Sequence, residues 1–179
     1  MTINNKDIYL NCNTTTRIVE VGGLTKLQLI DKMQQQNILV NELGKKLFAA
    51  DTFTTSIHPY VLKTVELSVS DLGLPGGGVL TEIYRRANQL GLELCPLELG
   101  PYLRLGYLDQ PEGFLDSQQQ NQAPNGSITV ASKILIENDN FPKGFYLRRI
   151  NGELWLRGYV CDDQHVWDPN DRFIFVKQD

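Results

Sequence analysis

Apolar and polar positions along the chain change period several times, and each change predicts an element. Between Thr25 and Gln36 the residues Leu24, Leu27, Ile30 and Met33 recur at three-residue steps, while Thr25 and Gln28 form a Thr-x-x-Gln capping box. That spacing predicts an amphipathic helix with this stripe turned inward. Asn41 is placed to cap a shorter helix with Leu43, Leu47, Phe48 and Ala50 on its apolar side, although Gly44 weakens it. Together the two segments predict a helical hairpin. After the break at His58-Pro59, Val61, Lys63, Val65, Leu67 and Val69 alternate with Leu62, Thr64, Glu66 and Ser68, the period of a half-buried strand with the odd set inward. A Pro/Gly turn over Leu74 to Gly78 leads into a helix whose apolar side is Val79, Leu80, Ile83, Tyr84, Ala87 and Leu90, with Gly91 as its stop. A strand at Leu92 to Cys95, or at Tyr102 to Leu108, would complete a strand-helix-strand unit, right-handed if parallel.

Asp109 to Gly126 carries Pro111, Gly113, Pro124, Gly126 and the run Gln118-Gln119-Gln120, and with little to bury it predicts an exposed or mobile loop. Within a single domain it is the candidate subdomain boundary. Strand patterns follow at Ser127 to Lys133, Gly144 to Ile150, Glu153 to Cys161 and Arg172 to Lys177. Asn151-Gly152 between two alternating runs favours a type I′ turn, which needs positive φ at both central residues. The C-terminal third therefore reads as an antiparallel sheet, and the whole chain as an α+β fold. No repeat recurs at a fixed period.

With Asn151 and Gly152 as the loop, the facing pairs are Ile150/Glu153, Arg149/Leu154, Arg148/Trp155, Leu147/Leu156, Tyr146/Arg157 and Phe145/Gly158. One face then carries Phe145, Leu147, Leu154, Leu156 and Val160 for the core, and the other carries Tyr146, Arg148, Trp155, Arg157 and Tyr159. Guanidinium groups beside aromatic rings attract by about 0.5–1 kcal/mol at exposed sites, and the same arrangement can clamp a planar group or an anion. A solvated sheet face satisfied by its own cross-strand stacking is the plainer use of the same residues.

Composition narrows the classes. The 179 residues are 41% hydrophobic and 21% charged with a mean hydropathy of -0.25, as in ordinary water-soluble globular proteins. A net charge of -4 gives no global positive field toward nucleic acid or anionic lipid. The exception is local: Lys143 to Val160 holds four basic side chains against Glu153 alone, a net of +3. A nucleic-acid partner would have to use that patch, with affinity falling steeply in salt. No stretch approaches eighteen apolar residues, and the first ten residues hold no apolar signal core, so neither a membrane partner nor classical secretion is expected. Cys12, Cys95 and Cys161 are odd in number and far apart, which speaks against a disulfide framework and a structural zinc site. Such usage fits a reducing cytoplasm, and equally a protein exported by a non-classical route.

Other chemistry is sparser. Gly76-Gly77-Gly78 precedes a helix, where backbone N–H groups can receive an anion, but its spacing matches no nucleotide-binding fingerprint, and a plain turn is the simpler use. Gly44-Lys45-Lys46 lacks the upstream glycine and the Ser/Thr of a P-loop. Cys161, Asp162, Asp163, His165 and Asp168 crowd one segment: Cys161 activated by His165 would be a nucleophile, and the carboxylates with His165 could hold a divalent cation, though neither use has a family-grade spacing, whereas an acidic turn anchored by Trp167 and shaped by Pro169 and Asn170 is the bland alternative. His58 reads as a loop residue and Cys95 as a small buried hydrophobe. Nothing calls for a cofactor or a metal.

The blocks from Leu90 to Leu105 with Asp109-Gln-Pro-Glu-Gly, and from Phe141 to Ile150 through Trp155-Leu-Arg-Gly-Tyr, resemble a set of small bacterial proteins without an established activity, some loosely labelled helicase. The resemblance spans the C-terminal two-thirds and implies a bacterial origin. It brings no functional residues, and the chain has neither the P-loop nor the Asp-Glu-x-His run of a helicase motor. The residues themselves point first to a non-catalytic binding or protein-interaction module. Tyr146, Arg148, Trp155 and Arg157, joined by Arg104, would engage an anionic or planar partner. A second class is a small hydrolase or group transferase with its site near Cys161 to His165.

Overall fold

The computed structural model describes residue 12 and residues 14–114 and 123–178, so the run Gln118-Gln119-Gln120 lies outside the described residues. A large mixed sheet runs through the molecule. Its strands are β1 (Thr15–Val21), β2 (Leu39–Val40), β3 (Tyr60–Ser68), β5 (Leu92–Glu93), β6 (Ile128–Val130), β7 (Gly144–Ile150), β8 (Glu153–Tyr159) and β10 (Arg172–Lys177). The spatial order is β1-β3-β10-β6-β7-β8-β2, with β5 paired to β10 off this path. A small second sheet joins β4 (Gly78–Val79) to β9 (Val166–Trp167).

The helices are α1 (Lys26–Gln35), α2 (Glu42–Ala49), α3 (Leu80–Gln89) and α4 (Leu99–Gly106). The Thr25 hydroxyl accepts from Gln28 N, and the Gln28 side chain accepts from Thr25 N, the expected capping box. The inward stripe of α1 differs from the expected one. Leu29 and Met33 are buried, whereas Leu27 is 74% exposed. Asn41 caps α2 by accepting from Gly44 N at 2.8 Å, and the same side chain accepts from Gly158 N and donates to Gly158 O on β8. Gly44, unfavourable for a helix by propensity, is there for space: a Cβ on it would stand 2.8 Å from Val40 Cγ1 and 3.3 Å from Gly158 N.

Two apolar layers cover the two sheet faces. One gathers Leu29, Met33, Leu47, Leu99 and Leu103 of the helices against Val21, Phe145, Leu147, Leu156 and Ile174. The other gathers Ile83 and Ala87 of α3 with Val65, Leu67, Trp167, Phe173 and Phe175. Strands from before and after residues 109–126 share one sheet: β10, β6, β7 and β8 lie side by side, flanked by β3 on one edge and β2 on the other.

Several expectations change. The second strand of the central unit is Leu92–Glu93, and Tyr102 to Leu108 falls largely within α4, where Leu99 and Leu103 make the buried i, i+4 stripe. Both β3 and β5 run antiparallel to β10, so they are mutually parallel with β10 between them. The C-terminal strands are not wholly antiparallel: β6 pairs parallel with β10. The intervening hairpin and the segment after it make a connection long enough to return the chain in the same direction. Val160 lies past the end of β8, escapes the alternation, and is 44% exposed. Within the described part of 109–126, Gln110 is buried. It donates to Leu147 O and Gly126 O, which pins to the sheet a loop whose Asp109, Pro111, Glu112 and Phe114 are exposed as expected.

Candidate functional site

The hairpin that orients the candidate face has Asn151 at φ 54° and Gly152 at φ 77°, and pairs Ile150 with Glu153 through Phe145 with Gly158. These are the pairs implied by a two-residue loop. Glu112 clips the turn from outside: its carboxylate accepts from Gly152 N and lies 3.3 Å from Arg149 Nε.

The alternation sends Tyr146, Arg148, Trp155 and Arg157 to one side, but not equally into solvent. Tyr146 and Arg148 are buried, and an Arg148 NH2 group donates to Phe114 O at 3.1 Å. Trp155 and Arg157 are half-buried, with the Arg157 guanidinium 4.9 Å above the indole. Arg104 does not join them. It sits on α4, which packs on the Phe145 side of the sheet, and it is fully buried with donors engaged by Gln110 and Tyr107 O. Burial holds its guanidinium below the usual value, at about 10.

Behind Tyr146 the rings form a continuous wall. Tyr146 and Tyr159 lie 6.4 Å apart between centroids, Tyr159 meets Trp167 edge-on at 5.5 Å, and Trp167 meets His165 at 5.1 Å. They enclose a cavity of about 170 Å³, which Ser127 and Cys161 also line. Trp167 is 4% exposed, yet among the described residues its indole N–H has no partner, and the buried Ser127 hydroxyl has none either. Trp155 Nε1 and Arg157 Nε, on the neighbouring strand face, are likewise buried and unpartnered. Each such group costs about 1–3 kcal/mol while it stays unmet. Burial pushes the Tyr146 phenol up, while the charges of Arg157 and Arg148 pull it down, so both guanidinium groups act at this spot.

Cys161 and His165, proposed from sequence as a nucleophile and its base, both line this cavity, but no hydrogen bond joins them. Burial, with Asp162, Asp139 and Asp163 nearby, pushes the Cys161 thiol up to about 11 against the opposing pull of Lys143. The carboxylates of Asp162 and Asp168 accept from Gln164 N and Asn170 N, as turn-forming side chains do. No group of three or more metal-ligating side chains occurs among the described residues. His58 is exposed, and Cys95 is buried with its thiol donating to Ile174 O. The three-glycine turn serves a close approach: a Cβ on Gly77, at φ 82°, would stand 2.3 Å from Trp167 O, and Gly78 pairs with Trp167.

Sequence reasoning missed a second cavity of about 380 Å³, which shares Ala123, Pro124 and Ser127 with the first. Its walls include Glu66, Tyr107, Asp171 and Arg172. Glu66 is ion-paired to Arg17 at 2.7 Å and to Arg172, and Arg17 lies 4.5 Å over the Tyr107 ring. Asp171 accepts from Asp168 N and Ala123 N, and burial pushes its carboxyl up to about 6. No local motif announces Glu66, because its partners come from strands 49 and 106 residues away. Comparison with protein-family models, with curated proteins and with solved structures returns no match. No helix among the described residues is long and apolar enough to cross a membrane.

Proposed function

We propose that the protein is a non-catalytic binding module that holds a planar, anionic group in the cavity between Tyr146, Tyr159 and Trp167. The observation that carries this reading is an aromatic cavity lined by Tyr146, Tyr159 and Trp167, the last with a buried indole N–H that has no partner among the described residues. A buried donor of this kind is satisfied when an acceptor arrives with a ligand. Charge supports the same choice. Arg157 stands directly opposite Tyr146 in the hairpin, and Arg148 adjoins it on the same strand face. Rings on three sides favour a flat group, and about 170 Å³ admits one ring and little more.

The enzymatic alternative at Cys161 and His165 has less behind it. A thiol held at about 11 stays protonated at neutral pH, and the protonated thiol is a poor nucleophile.

Calorimetric titration of the full chain with benzoate tests the reading, with cyclohexanecarboxylate as a non-planar anion and benzyl alcohol as a planar neutral probe. Benzoate should bind at one site about tenfold more tightly than either, a margin of about 1.4 kcal/mol. Arg157→Ala should remove the margin over benzyl alcohol with little change in melting temperature. Equal affinities for the three probes, or no saturable heat from benzoate, would overturn the proposal.

A further inference from the structure

The other sheet face carries an open groove that packing among the described residues leaves unfilled. It lies between α1 and α2, has a volume of about 520 Å³, and is lined by Leu27, Ile30, Met33, Val40 and Phe48 among others. That volume falls within the roughly 300–1,000 Å³ of small-molecule sites. α1 has two apolar stripes. Leu29 and Met33 go to the core, whereas Leu27 and Ile30, three residues apart, border the groove. Leu27 is the more exposed of the two, at 74%.

Charge at the groove has one sign. Lys26 and Lys45 line it, and no carboxylate does among the described residues. Lys26 Nζ donates to Ala50 O and lies 5.6 Å over the Phe53 ring, and an ammonium with three N–H groups can still turn one toward a further acceptor. Lys45 pairs with Glu42 across an exposed helix surface, a weak contact that an incoming anion can displace. An apolar trough edged by ammonium groups matches a molecule with an apolar tail and an anionic head.

We propose that this groove is a second binding site, for a free long-chain carboxylate, whose acyl chain lies between α1 and α2 and whose head group meets Lys26 and Lys45. Its occupant would not compete with a ligand in the aromatic cavity, whose Trp167 belongs to the apolar layer on the opposite sheet face.

The test is calorimetric titration of the full chain with dodecanoate and with dodecyltrimethylammonium, each below its micelle concentration. Dodecanoate should bind at one site at least about tenfold more tightly than the cationic amphiphile, about 1.4 kcal/mol in favour of the anion. Ala49→Trp should fill the groove and reduce that affinity about tenfold, and Lys26→Ala with Lys45→Ala should bring the two amphiphiles to within about threefold. Both Ala49 and Leu27 are exposed, so Leu27→Glu provides a second groove variant if the tryptophan disturbs folding, with the same loss expected. Equal binding of the two amphiphiles, or dodecanoate affinity untouched by both groove variants, would overturn the proposal. So would co-sedimentation with phosphatidylglycerol vesicles that Leu27→Glu abolishes, because the groove would then serve a membrane surface and not a free carboxylate.

Discussion

Asp171 is the side chain through which pH acts on the wall of the larger cavity. Its carboxyl titrates near 6 in the folded chain, against about 3.9 when unfolded, because burial disfavours the charged form. Between those values the folded state binds the proton more tightly, so this group lowers stability as pH rises from about 4 to 6 and adds no further change above that. Asp171→Asn keeps an acceptor for Asp168 N and Ala123 N without the charge. Thermal melts of both proteins across that range should show the variant gaining on wild type from pH 4 to 6 and the difference levelling beyond; a constant difference would mean that burial does not shift this carboxyl. The role of Asp171 was not legible in the sequence, where it sits in a run of turn residues. Glu66 was equally opaque, since it occupied the polar set of a strand that read as half-buried, and only Arg17 and Arg172 give it a reason to be inside. Tyr146, by contrast, could be placed beside Arg148 and opposite Arg157 by alternation alone, because strand geometry leaves one choice.

Local elements were readable where the residues that specify them are neighbours. The Thr25/Gln28 box satisfies its own backbone groups within four residues, and the Asn151-Gly152 turn is set by two adjacent residues that tolerate positive φ, so both are specified locally. β1 went unread although five of its seven residues are β-branched, because its register depends wholly on β3. The choice between Leu92 to Cys95 and Tyr102 to Leu108 as the second strand stayed open for a related reason. Leu103 and Leu105 fit a strand period as well as a helix period until Phe145 supplies the surface on which α4 packs, with Gly100 at the closest approach. The junction between α2 and β8 is the most demanding of these packings. A Cβ on Gly158 would stand 2.6 Å from Leu43 C and 2.7 Å from Gly44 N, both backbone atoms that cannot step aside. Gly158→Ala should therefore cost about 1–3 kcal/mol in chemical denaturation, and a change below about 0.5 kcal/mol would show that the helix end yields.

At the scale of the molecule, one sheet with two covered faces produces two separate candidate sites. The aromatic cavity depends on strands that meet only through the topology: Tyr146 comes from β7, Tyr159 from β8, and Trp167 from β9, which is held by the glycine turn before α3. The alternating face of the hairpin was legible from sequence, but its cover was not, because what lies over Tyr146 and Arg148 comes from segments with no strand or helix pattern of their own. That cover converts an exposed basic-aromatic face into a small cavity with unmet donors. The direct test follows from the chain having two tryptophans, Trp155 and Trp167, whose indole N–H groups both lack partners among the described residues. In a ¹⁵N-labelled sample, with Trp155→Phe assigning the signals, saturating benzoate should move the Trp167 indole resonance downfield as its N–H gains an acceptor, and move the Trp155 resonance less. A Trp167 resonance that stays in place while benzoate binds would contradict the account.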